Sequence, residues 1–416
     1  MKHFVDSTRR DFLAVLGASA AAGAAQATSS GRVPPSLPVP MSDYMLAPGL
    51  THLNTASLGP TSRAVFAKTI EAWRTLESSP VYMAYGRSGE ADKVVVHADK
   101  VRAKAGTLLG CGADEILITH GTTDGMNTVA QGTTLKAGDR ILSTDQEHEG
   151  GSFCWEYRAR RDGVAIDRIP IALDEYEPMP IVRRFAEAIT PKTRVISVSH
   201  IITTTGLRMP IAEIAALARA RNILCVVDGA QAAGHITVDV KALGCHAYAT
   251  SGHKWLMGPK GMGLLYVSSD ADGHIAPIQW SDARRYDAES AGVGPMTLVV
   301  GFGAAIDAIH GWGLAAIERH NFELRNRLYE GLKGIQGVRL VGPPPGPYAG
   351  AVVACALPEG FESRAVQQAM RDRHGILVKV AEKRWLNGLR FSPHVFNTAA
   401  DVDLALRSLA LELRSA

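Results

Sequence analysis

Two short runs carry the side chains best suited to chemistry. Asp228-Gly229-Ala230-Gln231 follows directly on the apolar run Ile223-Leu224-Cys225-Val226-Val227, and Ser251-Gly252-His253-Lys254 places a lysine 26 positions after Asp228. A lysine becomes a nucleophile when its surroundings hold its amine below the usual pKa. Upstream, Gly121-Thr122-Thr123 opens a helical stretch after a short apolar strand. Free N–H groups at a helix start, aided by the helix dipole, bind anions; the plainer alternative is a threonine that only caps the helix. His148, in Glu147-His148-Glu149, belongs to the residue type whose free side chain changes charge near neutral pH and suits proton transfer. It could equally face solvent or bind a metal, but no second spaced histidine accompanies it, so no metal is expected. Arg390, in Leu389-Arg390-Phe391-Ser392-Pro393, offers a planar fork for a carboxylate. That carboxylate belongs either to a substrate or to the protein itself.

These residues need a frame, and the pattern supplies one. Short apolar strands are expected at 115–119, 139–143, 194–198, 223–227 and 263–267, with helical patterns between them, such as Ile211 to Ala220. Alternation of this kind builds a mostly parallel α/β sheet covered by helices. Functional residues then gather at the carboxyl ends of the strands. The run 223–227 is apolar throughout and should be buried on both faces. Pro343-Pro344-Pro345-Gly346-Pro347 marks a composition break. Beyond it come a strand at 352–356, a helix from Glu362, strands near 376–380 and 389–392, and a helix from about Ala399, which together suggest a smaller α+β domain. The expected division is a leader at 1–27, a linker and N-terminal segment at 28–61, a large domain at 62–300 and a small domain at 301–416.

Charge and cysteine content narrow the function classes. Net charge is +3 with 44 basic and 41 acidic residues, so no nucleic-acid surface is expected. Five cysteines in 416 residues exclude a scaffold built on disulfides. Gly261-Met262-Gly263 lacks the third glycine of a dinucleotide loop and precedes a strand, which argues against a nicotinamide enzyme. At the amino terminus, Thr8-Arg9-Arg10-Asp11-Phe12-Leu13 is a twin-arginine pattern. It is followed by a short apolar run to Ala25 and an Ala25-Gln26-Ala27 cleavage site. This order predicts a cleaved leader of the route that exports folded proteins, hence a periplasmic location. The apolar run, Phe12 to Ala25, is shorter than the roughly 18 residues that span a bilayer, so no stable membrane anchor is expected.

The paired DGAQ and SGHK motifs, with the Gly-Thr-Thr turn and His148, resemble the class V aminotransferase family of fold-type-I pyridoxal phosphate enzymes. The likeness runs from His52-Leu53-Asn54 to the terminal helix and is greatest to the branch holding isopenicillin N epimerase and the cysteine desulfurases. The resemblance implies that Lys254 forms the imine with the cofactor, with Lys260 in Gly258-Pro259-Lys260-Gly261 as the weaker rival. It implies that Asp228 pairs with the pyridine nitrogen and keeps the ring electron-withdrawing; otherwise Asp228 would merely cap a turn. Ala230 would lie against the ring, Gln231 and Thr203 would meet the ring hydroxyl, and His148 would stack on the exposed ring face. Thr203 stands where the desulfurases carry asparagine and has a shorter reach. Thr122, Thr123, Ser251 and His253 would hold the phosphate. Arg390 would hold a substrate α-carboxylate, with Asn54 beside it.

Two departures bear on the reaction. The desulfurases carry a persulfide-forming cysteine ahead of the carboxylate arginine, whereas the stretch from His374 to Arg390 has none. Val293 stands where the family often has a threonine reaching the neighbouring subunit's phosphate, leaving Thr297 or a backbone amide to substitute; a homodimer is still expected from the fold type. The expected function is therefore amino transfer or epimerisation at the α-carbon of an amino acid, free or held in a peptide such as a siderophore precursor. Elimination of a β- or γ-leaving group, including C–S cleavage, is the alternative. A non-catalytic protein that kept the fold would be free to lose Asp228, His253, Lys254 and Arg390, and all four are present. Substrate choice is expected to lie in the loops 79–87, 284–289 and 380–385.

Overall fold

The computed structural model describes residues 36–84, 97–271, 274–278, 294–381 and 383–414. The twin-arginine leader, Val293, the loop 284–289 and the end of the loop 79–87 lie outside the described residues. From Pro35 onward the chain forms one compact unit.

Its centre is a seven-stranded sheet. In chain order the strands are β2 (Ile116–Thr119), β3 (Arg140–Thr144), β4 (Ala165–Ile169), β5 (Thr193–Ser199), β6 (Leu224–Asp228), β7 (Ala247–Ser251) and β8 (Gly263–Val267); β1 (Thr51–His52) lies elsewhere. Spatially they run β2-β8-β7-β6-β5-β3-β4. Neighbours from β4 through β7 pair in parallel, while β8 is antiparallel to both β2 and β7. The antiparallel insertion turns β2 to the direction of β7. The carboxyl ends of β2, β3, β5, β6 and β7 therefore all open on one edge. All five residues of β6 are buried, as its unbroken apolar run requires.

Two strands of this sheet escape the sequence pattern, and each for a reason. β4 is an edge strand whose alternation is weak, with an arginine and an aspartate among five residues. β7 reads Ala-Tyr-Ala-Thr-Ser, and Ala and Ser carry little β propensity; burial between β6 and β8 decides its state.

Helices cover both faces. α1 (Arg63–Ser78), α2 (Pro80–Ala84), α3 (His97–Leu109), α4 (Thr122–Gly132), α5 (Glu149–Asp162), α6 (Pro178–Ala188), α7 (Ile211–Arg219), α8 (Val240–Leu243) and α9 (Met296–Trp312) precede α10 (Leu314–Lys333), α11 (Ser363–His374) and α12 (Ala399–Glu412). α4 and α5 pack against each other, while α9 packs on α1 and α3. α9 is strongly apolar because it is buried, with Phe302, Ile306 and Ile309 fully enclosed. No single described helix is long and apolar enough to cross a membrane.

The second sheet has four antiparallel strands in the order β12-β13-β10-β9: β9 (Arg339–Val341), β10 (Val353–Ala356), β12 (Lys379–Val380) and β13 (Gly388–Phe391). The strand expected at 376–380 is split. β11 (Ile376–Leu377) pairs in parallel with β1, and Lys379–Val380 then joins β13. α10, which precedes the proline-rich break, already packs on this sheet and on α12. Leu53 is buried in the same apolar cluster as Leu328, Met370, Ile376 and Leu389. Leu53 thus ties this part of the N-terminal segment to the far end of the chain.

Candidate active site

A cavity of about 630 Å3 opens at the carboxyl edge of the large sheet. Every site residue expected from the sequence lines it except Asn54, which reaches it through Arg390. The large sheet explains this convergence for all of the lining residues expected from the sequence except Arg390, which lies on β13 of the second sheet, since the others sit at or just beyond its strand ends.

One end of the cavity is an anion cradle. α4 begins after Gly121, which has φ +152° and no side chain to cap the helix. Only glycine takes this φ readily, and the open first turn faces Ser251 and His253. Thr122 is the first helical residue and not the cap, which sets aside the plain capping role. Its N–H donates to Ser251 Oγ at 3.1 Å, and the two hydroxyls lie 2.8 Å apart. Ser251 thereby joins the end of β7 to the helix start.

Asp228 ends β6, buried, with Oδ1 accepting the Ala230 N–H at 2.9 Å. Its other oxygen lies where a side chain at Gly151 would have to sit, so the glycine keeps that space clear for the carboxylate. Burial pushes the Asp228 pKa up, while Lys254 and the Ala230 N–H pull it down. Lys254 is lowered to about 8, chiefly by burial, with Arg390 and Lys379 adding to the effect and Asp228 opposing it. An amine at that pKa is available as a nucleophile and base near neutral pH. Lys260, the rival, is held away: its Nζ donates to Gly59 O at 2.9 Å and Thr61 Oγ1 at 2.8 Å. His253 is lowered to about 4 by burial and by Lys254 and Lys260.

His148 caps α5, its Nδ1 accepting the Gly150 N–H at 3.0 Å. A backbone N–H can only donate, so the ring proton of the neutral form sits on Nε2. Beside it, Glu147 takes hydrogen bonds from Thr144 Oγ1 and Ser199 Oγ, both at 2.6 Å. Burial raises the Glu147 carboxyl to about 7 against those two bonds, with Asp228 adding to the rise. Among the described residues, no three His, Cys, Asp or Glu side chains converge as metal ligands.

The other end of the cavity is built from segments distant in sequence. Arg390 Nη1 donates to the Thr203 carbonyl at 3.0 Å and to its hydroxyl at 2.7 Å, and Nη2 donates to Ser57 Oγ at 2.8 Å and Asn54 Oδ1 at 3.4 Å. These four oxygens are neutral and orient the guanidinium. Thr203 Oγ1 also accepts from Gln231 Nε2 at 3.2 Å. Gln231 spends its other amide donor on Ala56 O at 2.9 Å, and its Oε1 accepts the Trp255 N–H at 2.8 Å. These partners fix the amide's orientation. Gln231 and Thr203, expected at the ring hydroxyl, are thus tied together as a bracket between Arg390 and Trp255.

Three contributors were not singled out from the sequence. Ser57 sits in a turn without a motif, and Glu147 drew notice only as a flank of His148. Lys379 lines the cavity from β12, directly across from Arg390 in the strand register. Its signal was an isolated lysine in an apolar run, two strands' length before the arginine.

The donors match the needs of pyridoxal phosphate: an uncapped helix start for the phosphate, a buried carboxylate for the ring nitrogen and a low-pKa amine for the aldehyde. The comparisons agree. The aminotransferase class-V profile matches residues 53–405. The isopenicillin N epimerase of Amycolatopsis lactamdurans is 30% identical over 386 residues, spanning 88% of this chain and 95% of that one. A probable cysteine desulfurase of Halalkalibacterium halodurans is 29% identical, spanning 71% of this chain and 77% of that one. Among solved structures, the apo cysteine desulfurase of Thermococcus onnurineus NA1 superposes with a TM-score of 0.81 at 24% identity, covering 94% of this chain and 100% of that one. A cystine C–S lyase in complex with cysteine persulfide gives 0.77 at 24%, covering 87% and 97%. Strand ends, cradle and lysine thus sit inside a match covering most of the chain, and this protein belongs to the class-V aminotransferase family of pyridoxal phosphate enzymes.

Proposed function

We propose that the protein is an exported enzyme acting at the α-carbon of an amino acid, free or within a peptide, by epimerisation or amino transfer. The observation that carries this is the guanidinium of Arg390, set on neutral oxygens in the same cavity as Lys254. Bound pyridoxal phosphate supplies an electron sink for a carbanion at the α-carbon. Arg390 binds the α-carboxylate and so fixes which α-bond stands across the ring. Lys254, with its amine near pKa 8, takes and returns the α-proton on its own face. His148 lines the same cavity with its proton on Nε2 and serves the opposite face, as inversion requires. The similarity to isopenicillin N epimerases supports inversion.

The reading is tested by incubating holoenzyme with amino acids and short peptides in deuterated water. Deuterium at the α-carbon supports it, and the absence of exchange with every substrate overturns it. Inverted product with unchanged cofactor identifies epimerisation, whereas accumulation of the pyridoxamine form identifies amino transfer. Elimination is the second reading, favoured by the desulfurase relatives. It predicts release of a keto acid and the leaving group, but His374 to Arg390 offers no cysteine to receive sulfur.

Export rests on the Arg9-Arg10 leader and would place the enzyme where peptide precursors, siderophores among them, mature outside the cytoplasm. Arg9→Lys with Arg10→Lys should strand the precursor in the cytoplasm; undiminished periplasmic recovery would overturn it. A homodimer is proposed from the fold type, and a monomeric holoenzyme by sedimentation would contradict it.

A further inference from the structure

Lys254 is followed by Trp255, which heads the fully enclosed side chains in size. Its indole N–H donates to Gln231 Oε1 at 2.8 Å, and its carbonyl accepts from His394 Nε2 at the same distance. A carbonyl can only accept, so the proton of His394 sits on Nε2. Two histidine rings enclose the indole. His235 stacks on it with centroids 4.1 Å apart, and His394 meets it edge-on at 5.2 Å. His235 Nε2 accepts the Ala351 N–H at 2.6 Å, so its proton sits on Nδ1 and is donated to the Gln231 carbonyl at 2.8 Å. Neither histidine lines the cavity, and both are wholly buried.

Two routes thus join Arg390 to the residue beside Lys254. One passes from Arg390 Nη1 through the Thr203 hydroxyl and the Gln231 amide to the Trp255 indole. The other follows the chain from Arg390 to His394 and crosses to the Trp255 carbonyl. Lysine carries its amine on a flexible four-carbon stem, so the root of the stem decides where the amine can reach. We propose that Trp255 and His394 are positioning residues for Lys254, fastening its backbone to the segment that carries Arg390 so that the amine meets the ring from one fixed place. This rests on the α-carbon reading for what Lys254 and Arg390 do, and adds what aims the lysine.

Trp155 supplies a matched control. It is buried in α5, its indole N–H donates to Ser197 Oγ, also at 2.8 Å, and it does not line the cavity. Trp255→Phe and Trp155→Phe each remove one buried donor and keep a ring, so thermal stability should fall to a similar degree. They should differ at the lysine. In Trp255→Phe holoenzyme, the pH titration of the cofactor's absorbance should move up by roughly one unit, because a loosened amine regains water. Asp228, Arg390 and Lys379, whose charges act on Lys254, are present in every variant. Trp155→Phe should leave that titration in place. His394→Gln keeps an N–H donor and should titrate like wild type, whereas His394→Leu should shift as Trp255→Phe does; if it does not fold, Trp255→Phe decides. Where α-exchange is seen, kcat should fall about 10-fold in Trp255→Phe with KM within roughly 2-fold of wild type. The shift without any α-exchange supports the positioning role, and the α-carbon reading alone has then failed. An unmoved titration in Trp255→Phe, or an equal shift in Trp155→Phe, overturns the positioning role.

Discussion

The two ends of the cavity are made differently. The cofactor end draws Thr122, Asp228, Ser251 and Lys254 from strand ends of a single sheet. Its hydrogen bonds, such as Thr122 to Ser251, tie the helix start after β2 to the end of β7 across the intervening β8. The substrate end draws Asn54 and Ser57, Thr203, Lys379 and Arg390 from three separate stretches of chain, and the bonds of Arg390 described above cross 187 to 336 positions. The first is rigid because a buried sheet sets it. The second is rigid only while several segments stay docked. A site divided in this way can keep one chemistry and change its substrate.

The largest effect should come from the cofactor end. Lys254→Ala should fold and lose covalently held cofactor, with activity down about 10²- to 10⁴-fold or more from loss of the proton carrier. Mass spectrometry after borohydride treatment reads this directly, and cofactor fixed at Lys260 instead would break the assignment. Gly151→Ala should come next. The added methyl group meets the Asp228 carboxylate and costs roughly 1–3 kcal/mol of overpacking. It should appear as weaker cofactor binding with intact secondary structure; unchanged affinity would show that Asp228 does not need that space. Arg390→Lys should retain cofactor and raise KM for amino acids by about 10- to 100-fold, because a point charge cannot replace a fork. Loss of cofactor in that variant would erase the distinction between the two ends.

The smallest effect joins the ends. Arg390 and Lys379 lower the Lys254 pKa through space, so removing either charge should raise it above about 8. The alkaline rise in activity, which needs the unprotonated amine, should then move to higher pH in Arg390→Gln. Asp228 acts in the opposite sense, so Asp228→Asn should move it to lower pH. Spectrophotometric pH titration would show both directions, and shifts of the same sign would refute the electrostatic account.

This contrast also explains what could be read in advance. The cofactor end was legible because DGAQ, SGHK and the Gly-Thr-Thr turn are contiguous, and β6 announces itself by an unbroken apolar run. Asn54 and Arg390 were legible through family resemblance. Ser57 and Lys379 were not, since their roles exist only once β1 has paired with β11 and β12 with β13. The protein partners of Gln231 and Thr203 were hidden for a related reason. Residue type gives hydrogen-bonding capacity, but Ala56, Trp255 and Arg390 had to be in place to show where it is spent.

The span between Asn54 and Arg390 has a consequence in time. At about 5–20 residues per second, the ribosome needs roughly 17 to 67 s to make the 336 residues separating them. Throughout that interval Asn54 and Ser57 have no guanidinium to receive, and β1 has no β11 to pair with. The sheet carrying Asp228 and Lys254 is synthesised well before then. A nascent chain therefore acquires the strand ends carrying Asp228 and Ser251 first, and the docking of Arg390 on Asn54 and Ser57 is among the last things it completes.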